Sequence, residues 1–389
     1  MNKKRKKIVL FSGKRGGFSH FVPILKNKNF KKNYDLILVL SDMHLSKEFG
    51  STKNEVNRYF QNTISLKKKN VKDSDNDRIK LIIGTIYDLE KVLLKINPDL
   101  VIVLGDRSET LAAAIASSYL KIPLLHIYGG DISQGGTDET ARHAITKLSN
   151  FHVVSNYDSK KNVLQMGEEK WRVFNTGFLT FDLFNKKFFF KKDEIFHKFK
   201  LKKNLPVIIL IQHPNTWDVK NSRKQIKETL SALKEVNTQT VAIYPCSDPG
   251  HSAIIQELKK FQKKNKNFQL HKNIEMKEFY SLYKYSNLIV GNSSSGITES
   301  LFFKKFSINI GTRQYGRLCS KNVYHAKNNK NEILKYLKKL LNKKMKLNSN
   351  NINFYYKKNS INNLFKFIKN NIDNKKKAIS KSFIKINSL

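Results

Sequence analysis

The sequence predicts an α/β protein built of two doubly wound parallel-sheet halves that face a cleft. Three observations predict it. Short runs rich in Ile, Val and Leu recur along the chain. Helical patterns separate most of them. The whole pattern then restarts after a lysine- and phenylalanine-rich stretch, "FNKKFFFKKDEIFHKFK", at about residues 184–200. Continuous apolar strands alternating with helices are what a parallel sheet covered on both faces requires.

The elements follow in order. The chain opens on a basic start and then "KIVLFSG". This apolar part is too short for a signal peptide and reads as a first buried strand. "DLILVLSD", "LVIVLGD", "IPLLHIYGG" and "FHVVSN" are the next strands. Each ends in a small or polar residue, as a strand does when its carboxyl end meets a site. Past a boundary near residue 190, "LPVIILIQHP", "TVAIYPCSD", "NLIVGNSSSG" and "FSINIG" supply a second set. The polar tail, with sparse apolar positions, suggests peripheral helices and fraying final residues. The expected division is a first domain over 1–185, a second over 190–365, and a basic C-terminal helix or tail over 366–389. The 389 residues suffice for two separate cores.

Charge is the most conspicuous property, with 73 basic against 31 acidic residues and a net +42. One reading is a binder of nucleic acid or anionic membrane. The other is lysine usage that accompanies asparagine usage, as in an AT-rich genome. The lysines lie in dispersed surface-like runs such as "KNKNFKKN" and "KKFQKKNKN", with no zinc knuckle, basic zipper or RNA-stacking motif. The second reading is therefore preferred and no nucleic-acid partner is expected, although an anionic substrate would feel the positive field. No apolar run is long enough to span a bilayer. Cys246 and Cys319 form neither a disulfide framework nor a metal pattern. A soluble cytoplasmic protein is expected.

Four loops that follow predicted strands carry candidate chemistry. In "SGKRGGFSH", glycines between a strand and a helix let backbone approach a phosphate, with Arg15 and Ser19 beside it. The glycine spacing is not the dinucleotide fingerprint, and an ordinary tight turn is the alternative. In "VIVLGDRSETLAAAIASSYL", Asp106 and Arg107 stand at a strand exit before an Ala-rich helix. Asp106 reads either as that helix's cap or as a functional carboxylate. In "HIYGGDISQGGTDETARHAITKLS", His126 ends a strand, Gly129 and Gly130 free the backbone, and Asp131 follows. A helix then starts, with Thr137 as a plausible cap and Asp138 and Glu139 in its first turn. Asp138 with Arg142, and Glu139 with His143, are spaced as i,i+4 pairs. Surface ion pairs on a capped helix explain the first-turn acids, but not why so many titratable groups gather at strand exits on one sheet edge. Clustered carboxylates beside basic groups can tune one acid and one base. A metal held by His143 with Glu139 or Asp138 is a competing use, without zincin spacing to support it. In "IVGNSSSGITES", Ser293, Ser294 and Gly296 form a turn suited to a diphosphate, with Glu299 placed to hold ribose hydroxyls. "NIGTRQYGR" then supplies Arg313 and Arg317.

"GDRSETLAAA", "HIYGGD…DETARHAITKLS", "QHP", "YPCSDPG", "GNSSSGITES" and "NIGTRQYGR" occur in order over about residues 8–320. In these motifs the chain resembles the hydrolysing UDP-N-acetylglucosamine 2-epimerases of sialic-acid, legionaminic-acid and related nonulosonic-acid pathways. The resemblance implies a glycosyltransferase-B-type fold of two Rossmann-like domains. It implies sugar chemistry on the first, nucleotide binding on the second, and no metal or redox cofactor. It also implies a UDP-linked amino sugar as the substrate partner, no membrane span and a homo-oligomer. Elimination of UDP across C1 and C2 would be followed by hydration of the glycal-like intermediate, which inverts C2. By match to the family's motifs, Asp106, Asp131, Asp138, Arg142 and His213 are the catalytic candidates. Arg15, Ser19, Arg107, His143, Ser293, Ser294, Gly296, Glu299 and Arg313 are the binding candidates. Three positions depart from the pattern. Gly17 stands in place of an acid in the first loop, and Cys246 in place of the usual asparagine. Tyr128 stands where several members have a glutamate, so that Asp131 is the substitute. Rival readings are a non-hydrolysing epimerase, a glycosyltransferase, and a basic nucleic-acid-binding protein.

Overall fold

The computed structural model describes residues 5–69, 72–342, 347 and 352–385. They form two compact α/β units. The first contains residues 1–131, 138–183 and 355–389, and the second 132–137 and 184–354.

The first unit has strands β1 (Lys6–Ser12), β2 (Tyr34–Leu40), β3 (Thr63–Ser65), β4 (Leu100–Leu104), β5 (Leu124–Ile127), β6 (Phe151–Val154) and β7 (Val173–Asn175). They lie side by side as β3-β2-β1-β4-β5-β6-β7, and every pair is parallel. β1, β2, β4, β5 and β6 are the strands read from the sequence. Their residues are buried almost throughout because helices cover both faces. The Ala-rich helix Ser108–Tyr119 buries Ala112, Ala113, Ala114 and Ala116, and short side chains allow that close packing. Strand order reverses between β1 and β4, so the loops leaving these two strands flank a topological switch point, the usual position of a ligand in such sheets.

The second unit has β8 (Val207–Ile211), β9 (Gln239–Ile243), β10 (Phe268–His271), β11 (Leu288–Gly291), β12 (Phe306–Ile310) and β13 (Val323–Ala326). Their order is β10-β9-β8-β11-β12-β13, again parallel throughout. Its switch point lies between β8 and β11.

The expected division needs three corrections. Residues 355–365 belong to the first unit, not the second, and residues 366–385, expected as a separate basic C-terminal helix or tail, belong to the first unit as well. The reason is apolar burial. Helix Ser360–Asn371 buries Ile361, Leu364, Phe367 and Ile368. Phe367 stacks on Phe174 at 5.4 Å, and Phe365 meets Phe30 edge-on at 5.4 Å. Residues 132–137 go with the second unit, where the Gln134 N–H donates to Tyr315 O at 3.0 Å. The final residues, 386–389, for which fraying was expected, lie outside the described residues. Among the described residues no helix is long and apolar enough to cross a membrane.

Candidate active site

In the first unit the site is built on the exits of β4 and β5. Asp106 leaves β4 one residue ahead of the following helix's N-cap position, Arg107. It forms an ion pair through Oδ2 with Arg142 on helix Asp138–Leu148. Arg142 is 1% exposed and Asp106 15%, so the pair is screened little by water. Arg142 also donates to Glu139 Oε2 at 2.7 Å and to the Asp131 carbonyl at 2.9 Å. Burial opposes its charge, but the Asp106, Asp131 and Glu139 carboxylates outweigh that and hold the guanidinium protonated. Lys14, from the loop after β1, reaches Asp106 Oδ1 at 4.0 Å.

Asp131 follows β5 and is 5% exposed. Its Oδ1 accepts hydrogen bonds from Ser155 (2.9 Å), Asn156 Nδ2 (3.2 Å) and Ser159. Its carboxylate is thus bound to the segment after β6. Gly130 makes this approach possible. Its φ is +78°, and a Cβ there would lie 2.2 Å from Ser159 O. Asp138 opens the helix, half-buried in its first turn. His143 Nε2 faces Glu139 Oε1 at 3.1 Å, and its Nδ1 has no hydrogen-bond partner among the described residues. Glu139 therefore bridges Arg142 and His143, a role that the i,i+4 spacing gave only in part. Among the described residues no group of three or more His, Cys, Asp or Glu side chains is placed to hold a metal ion. The hydroxyl of Thr137, the expected cap, donates to Thr216 Oγ1 at 3.3 Å.

His126 is a tie beneath these groups. Its Nε2 donates to Gly105 O at 2.7 Å, which leaves Nδ1 for the Thr146 hydroxyl at 3.1 Å. Burial first, with Arg142 and His152 adding to it, lowers its pKa to about 3, so the ring is neutral and joins the β4 exit to the Asp138 helix. Tyr128 is likewise committed. Its φ of +66° is unusual for a bulky residue. Its hydroxyl accepts the Leu179 N–H at 2.8 Å and meets His20 Nδ1 at 3.1 Å, and its ring stacks on Phe178 at 4.6 Å. Burial, aided by Lys14, lowers the His20 pKa to about 3.

Three of the expected binding residues serve the scaffold visibly. Arg107 is 2% exposed and pairs with Glu109 at 3.2 Å and Asp42 at 3.4 Å. Ser19 donates back to Gly16 O at 3.0 Å. Gly296 lets its turn lie on β12, since a Cβ would come 2.7 Å from Ser307 Oγ. Arg15 begins the helix Arg15–Lys26 beside Lys14, an N-cap residue without a side-chain cap bond.

In the second unit the loops after β8 and β11 are joined at the switch point. The His213 N–H donates to Asn292 Oδ1 at 2.6 Å, and Asn292 Nδ2 donates to His213 O at 2.9 Å. Gly291 permits this. At φ +126°, any Cβ would sit 2.0 Å from Ile211 O. Arg313 and Gln314 both donate to Asn292 O, at 3.3 and 3.1 Å. Asn292 is therefore the hub that the sequence reading missed, although it lies inside the quoted "GNSSSG" motif. His213 Nδ1 accepts the Cys246 N–H at 3.0 Å, which puts the proton of the neutral ring on Nε2. Cys246 donates its thiol hydrogen to Asp248 Oδ2 at 2.8 Å, and Arg313 Nη2 lies 3.9 Å from the same oxygen.

The serine turn leads into a short helix. That helix, Ser295–Thr298, is a single turn, so a macrodipole contributes little and any anion would be held by individual amides and hydroxyls. Ser293 Oγ meets Ser295 Oγ at 3.1 Å, and Ser294 O accepts from Thr298 Oγ1 at 3.0 Å. Glu299 is buried, and its Oε1 accepts from the Tyr280 hydroxyl at 3.0 Å. Burial raises its pKa to about 7 against the opposing pull of that hydrogen bond.

Residues 26–369 match the family model for UDP-N-acetylglucosamine 2-epimerase. A Campylobacter jejuni protein, named GDP/UDP-N,N'-diacetylbacillosamine 2-epimerase (hydrolyzing), is 32% identical across 88% of this chain and 90% of its own length. A Legionella pneumophila protein, named UDP-N,N'-diacetylbacillosamine 2-epimerase (hydrolyzing), is 30% identical across 87% and 89%. Among solved structures, the Methanocaldococcus jannaschii UDP-GlcNAc 2-epimerase in complex with UDP-GlcNAc and UDP superposes with a TM-score of 0.76. That likeness covers 94% of this chain and 99% of that one at 21% identity, and it shows the fold, of glycosyltransferase-B type. With its two parallel sheets and a match running through most of its length, this chain belongs to the UDP-N-acetylglucosamine 2-epimerase family.

Proposed function

We propose that the protein is a hydrolysing UDP-sugar 2-epimerase. A base takes the C2 proton of the nucleotide-linked amino sugar while the C1–oxygen bond breaks and UDP departs. Water then adds across C1 and C2, with hydroxide to C1 and a proton to C2 from the opposite face. The products are UDP and the free C2-inverted sugar. The substrate in this reading is UDP-N-acetylglucosamine, giving N-acetylmannosamine, or the 2,4-diacetamido-trideoxy equivalent, and the product feeds nonulosonic-acid synthesis. The names of the Campylobacter and Legionella relatives support the hydrolysing outcome and favour the diacetamido sugar.

The observation that carries the reading is Asp106, partly open at the exit of β4, coupled to the buried Arg142. A carboxylate beside a fixed cation, next to a switch point, suits proton transfer in a site where charge develops. Asp106 is assigned as the principal acid/base group, with Asp138 as its partner. Arg142 sets the charge of Asp106, and the tied Asp131 holds the loop. In the second unit, Arg313, Ser293 and Ser294 are assigned to the diphosphate, Glu299 to the ribose and His213, with its Nε2 proton, to the departing UDP. Arg15, in the first unit, is assigned to phosphate binding. No cofactor enters this scheme.

The test is incubation with UDP-N-acetylglucosamine and with its diacetamido-trideoxy counterpart, followed by nuclear magnetic resonance of the products. Free UDP with a free C2-inverted sugar is expected from at least one. A product still linked to UDP would support a non-hydrolysing epimerase, and no turnover of either would overturn the proposal.

A further inference from the structure

The C-terminal segment holds the far end of the helix that carries Asp138, Arg142 and His143. Arg172, wholly buried just before β7, donates to Lys377 O (3.1 Å), Ala378 O (2.7 Å) and Ser380 O (2.6 Å). These carbonyls lie close together on one segment, so a single guanidinium clamps it. Just past the clamp, Lys381 turns back toward the sheet. Its ammonium donates to Lys147 O at 2.8 Å, Ser149 O at 2.7 Å and Glu168 Oε2 at 2.8 Å. That uses all the protons an ammonium has to give. Glu168 is in turn held by Lys147 at 2.7 Å and by His152 Nε2 at 3.0 Å, inside the unit. The strap is pinned once more where the Ile384 N–H donates to Gly167 O at 2.9 Å and the Phe383 ring lies against Gly167.

Lys147 is in the last turn of helix Asp138–Leu148, and Ser149 directly follows it. Carbonyls at a helix C-terminus have no partner within the helix, and a cation there is favoured by the helix dipole. The buried residues of this helix are Arg142, Ile145 and Thr146, of which Ile145 alone is apolar, and partly buried Leu148 packs against the same core. Polar ties therefore share with a small apolar face the work of fixing its position. The Asp106–Arg142 pair and the His126–Thr146 contact hold it from the sheet, and Lys381 holds its end.

We infer that Lys381 is a positioning residue for the proposed reaction: the C-terminal strap uses it to seat the helix that presents Arg142 to Asp106. Its activity arm rests on the proposed function, but its structural arm does not. In the full chain, Lys381→Met is expected to lower kcat by about 10- to 100-fold, the effect of a shift of about 1 Å at a reacting geometry. KM and UDP affinity stay within about twofold, because a positioning defect in the first unit leaves binding by the second alone. Lys381→Arg, whose guanidinium can bridge the same carbonyls and carboxylate, restores most of kcat. By hydrogen exchange, amides of residues 142–149 lose protection in Lys381→Met and retain it in Lys381→Arg. Wild-type kcat with unchanged protection in Lys381→Met overturns the inference, as does loss of protection spread over the whole chain. Phe383→Ser removes an exposed ring from Gly167 and leaves the core intact. It should loosen the same amides to a smaller degree, and if Lys381→Met does not fold, unchanged exchange in Phe383→Ser overturns the inference. If the wild type turns over no UDP-sugar while the exchange pattern is as expected, the proposed function fails and the strap's role in seating the helix stands.

Discussion

Replacing Glu299 with glutamine tests the electrostatics of the second unit by a route independent of turnover. Glu299 is 4% exposed, accepts the Tyr280 hydroxyl at 3.0 Å, and has its pKa raised to about 7 by burial. Between its ordinary 4.5 and about 7, the folded state keeps a proton that the unfolded chain releases. Stability is therefore fully present below that window and declines as pH rises through it. Raising the carboxyl from 4.5 to about 7 corresponds to a loss of about 3 kcal/mol above the window. Glutamine accepts the same tyrosine hydrogen bond and never ionises. Glu299→Gln should thus gain about 3 kcal/mol on the wild type between pH 5 and pH 8. Urea unfolding of both proteins across that range measures it. A difference between the two proteins that does not change with pH would refute the reasoning. The assignment of Glu299 to ribose adds a second expectation. Wild-type UDP affinity, read by calorimetry, should strengthen as pH rises through about 7, as the carboxylate forms. The glutamine variant should bind weakly at every pH.

Asp106→Asn should lower kcat by about 10²- to 10⁴-fold while sparing UDP affinity. Steady-state kinetics beside calorimetry checks this, and near-normal turnover would remove Asp106 from the chemistry. Arg313→Ala should weaken UDP binding by about 10- to 100-fold, the range for a charged hydrogen bond, and unchanged affinity would contradict its placement at the diphosphate. Gly291→Ala should destabilise the chain by about 2–3 kcal/mol, because an L-residue at that φ is strained and its Cβ would press on Ile211 O. A wild-type thermal midpoint would show that the β8–β11 junction relaxes freely.

Most strands were legible because burial on both faces leaves an unbroken apolar run, as in "LVIVLGD" for β4 and "NLIVGNSSSG" for β11. The strands that escaped are β3, β7, β10 and β13, and these are the outer strands of the two sheets. They are short and partly exposed, so they need no such run and carry none. The site loops were legible for a related reason: glycines and titratable groups crowd at strand exits, where neither a core nor an ordinary turn requires them. The internal partners were not. Nothing local in the sequence joins Arg107 to Asp42, Tyr128 to His20, or Arg142 to Asp106, since each pair meets only when distant segments pack. The i,i+4 spacing of Asp138 and Arg142 drew attention to the nearer carboxylate, while the fold gives Arg142 a partner 36 residues away. The C-terminal tail misled for a compositional reason. Its lysines and asparagines hide the Ile361, Leu364, Phe367 and Ile368 face that returns it to the first unit.

The most direct test of the account is turnover of the UDP-sugar in deuterium oxide, with the product read by nuclear magnetic resonance and mass spectrometry. Proton removal at C2 followed by protonation from solvent predicts a free C2-inverted sugar with one deuterium at C2, released together with UDP. A free sugar that keeps its original C2 hydrogen and configuration would mean simple hydrolysis, and would contradict the role given to Asp106 and its neighbours.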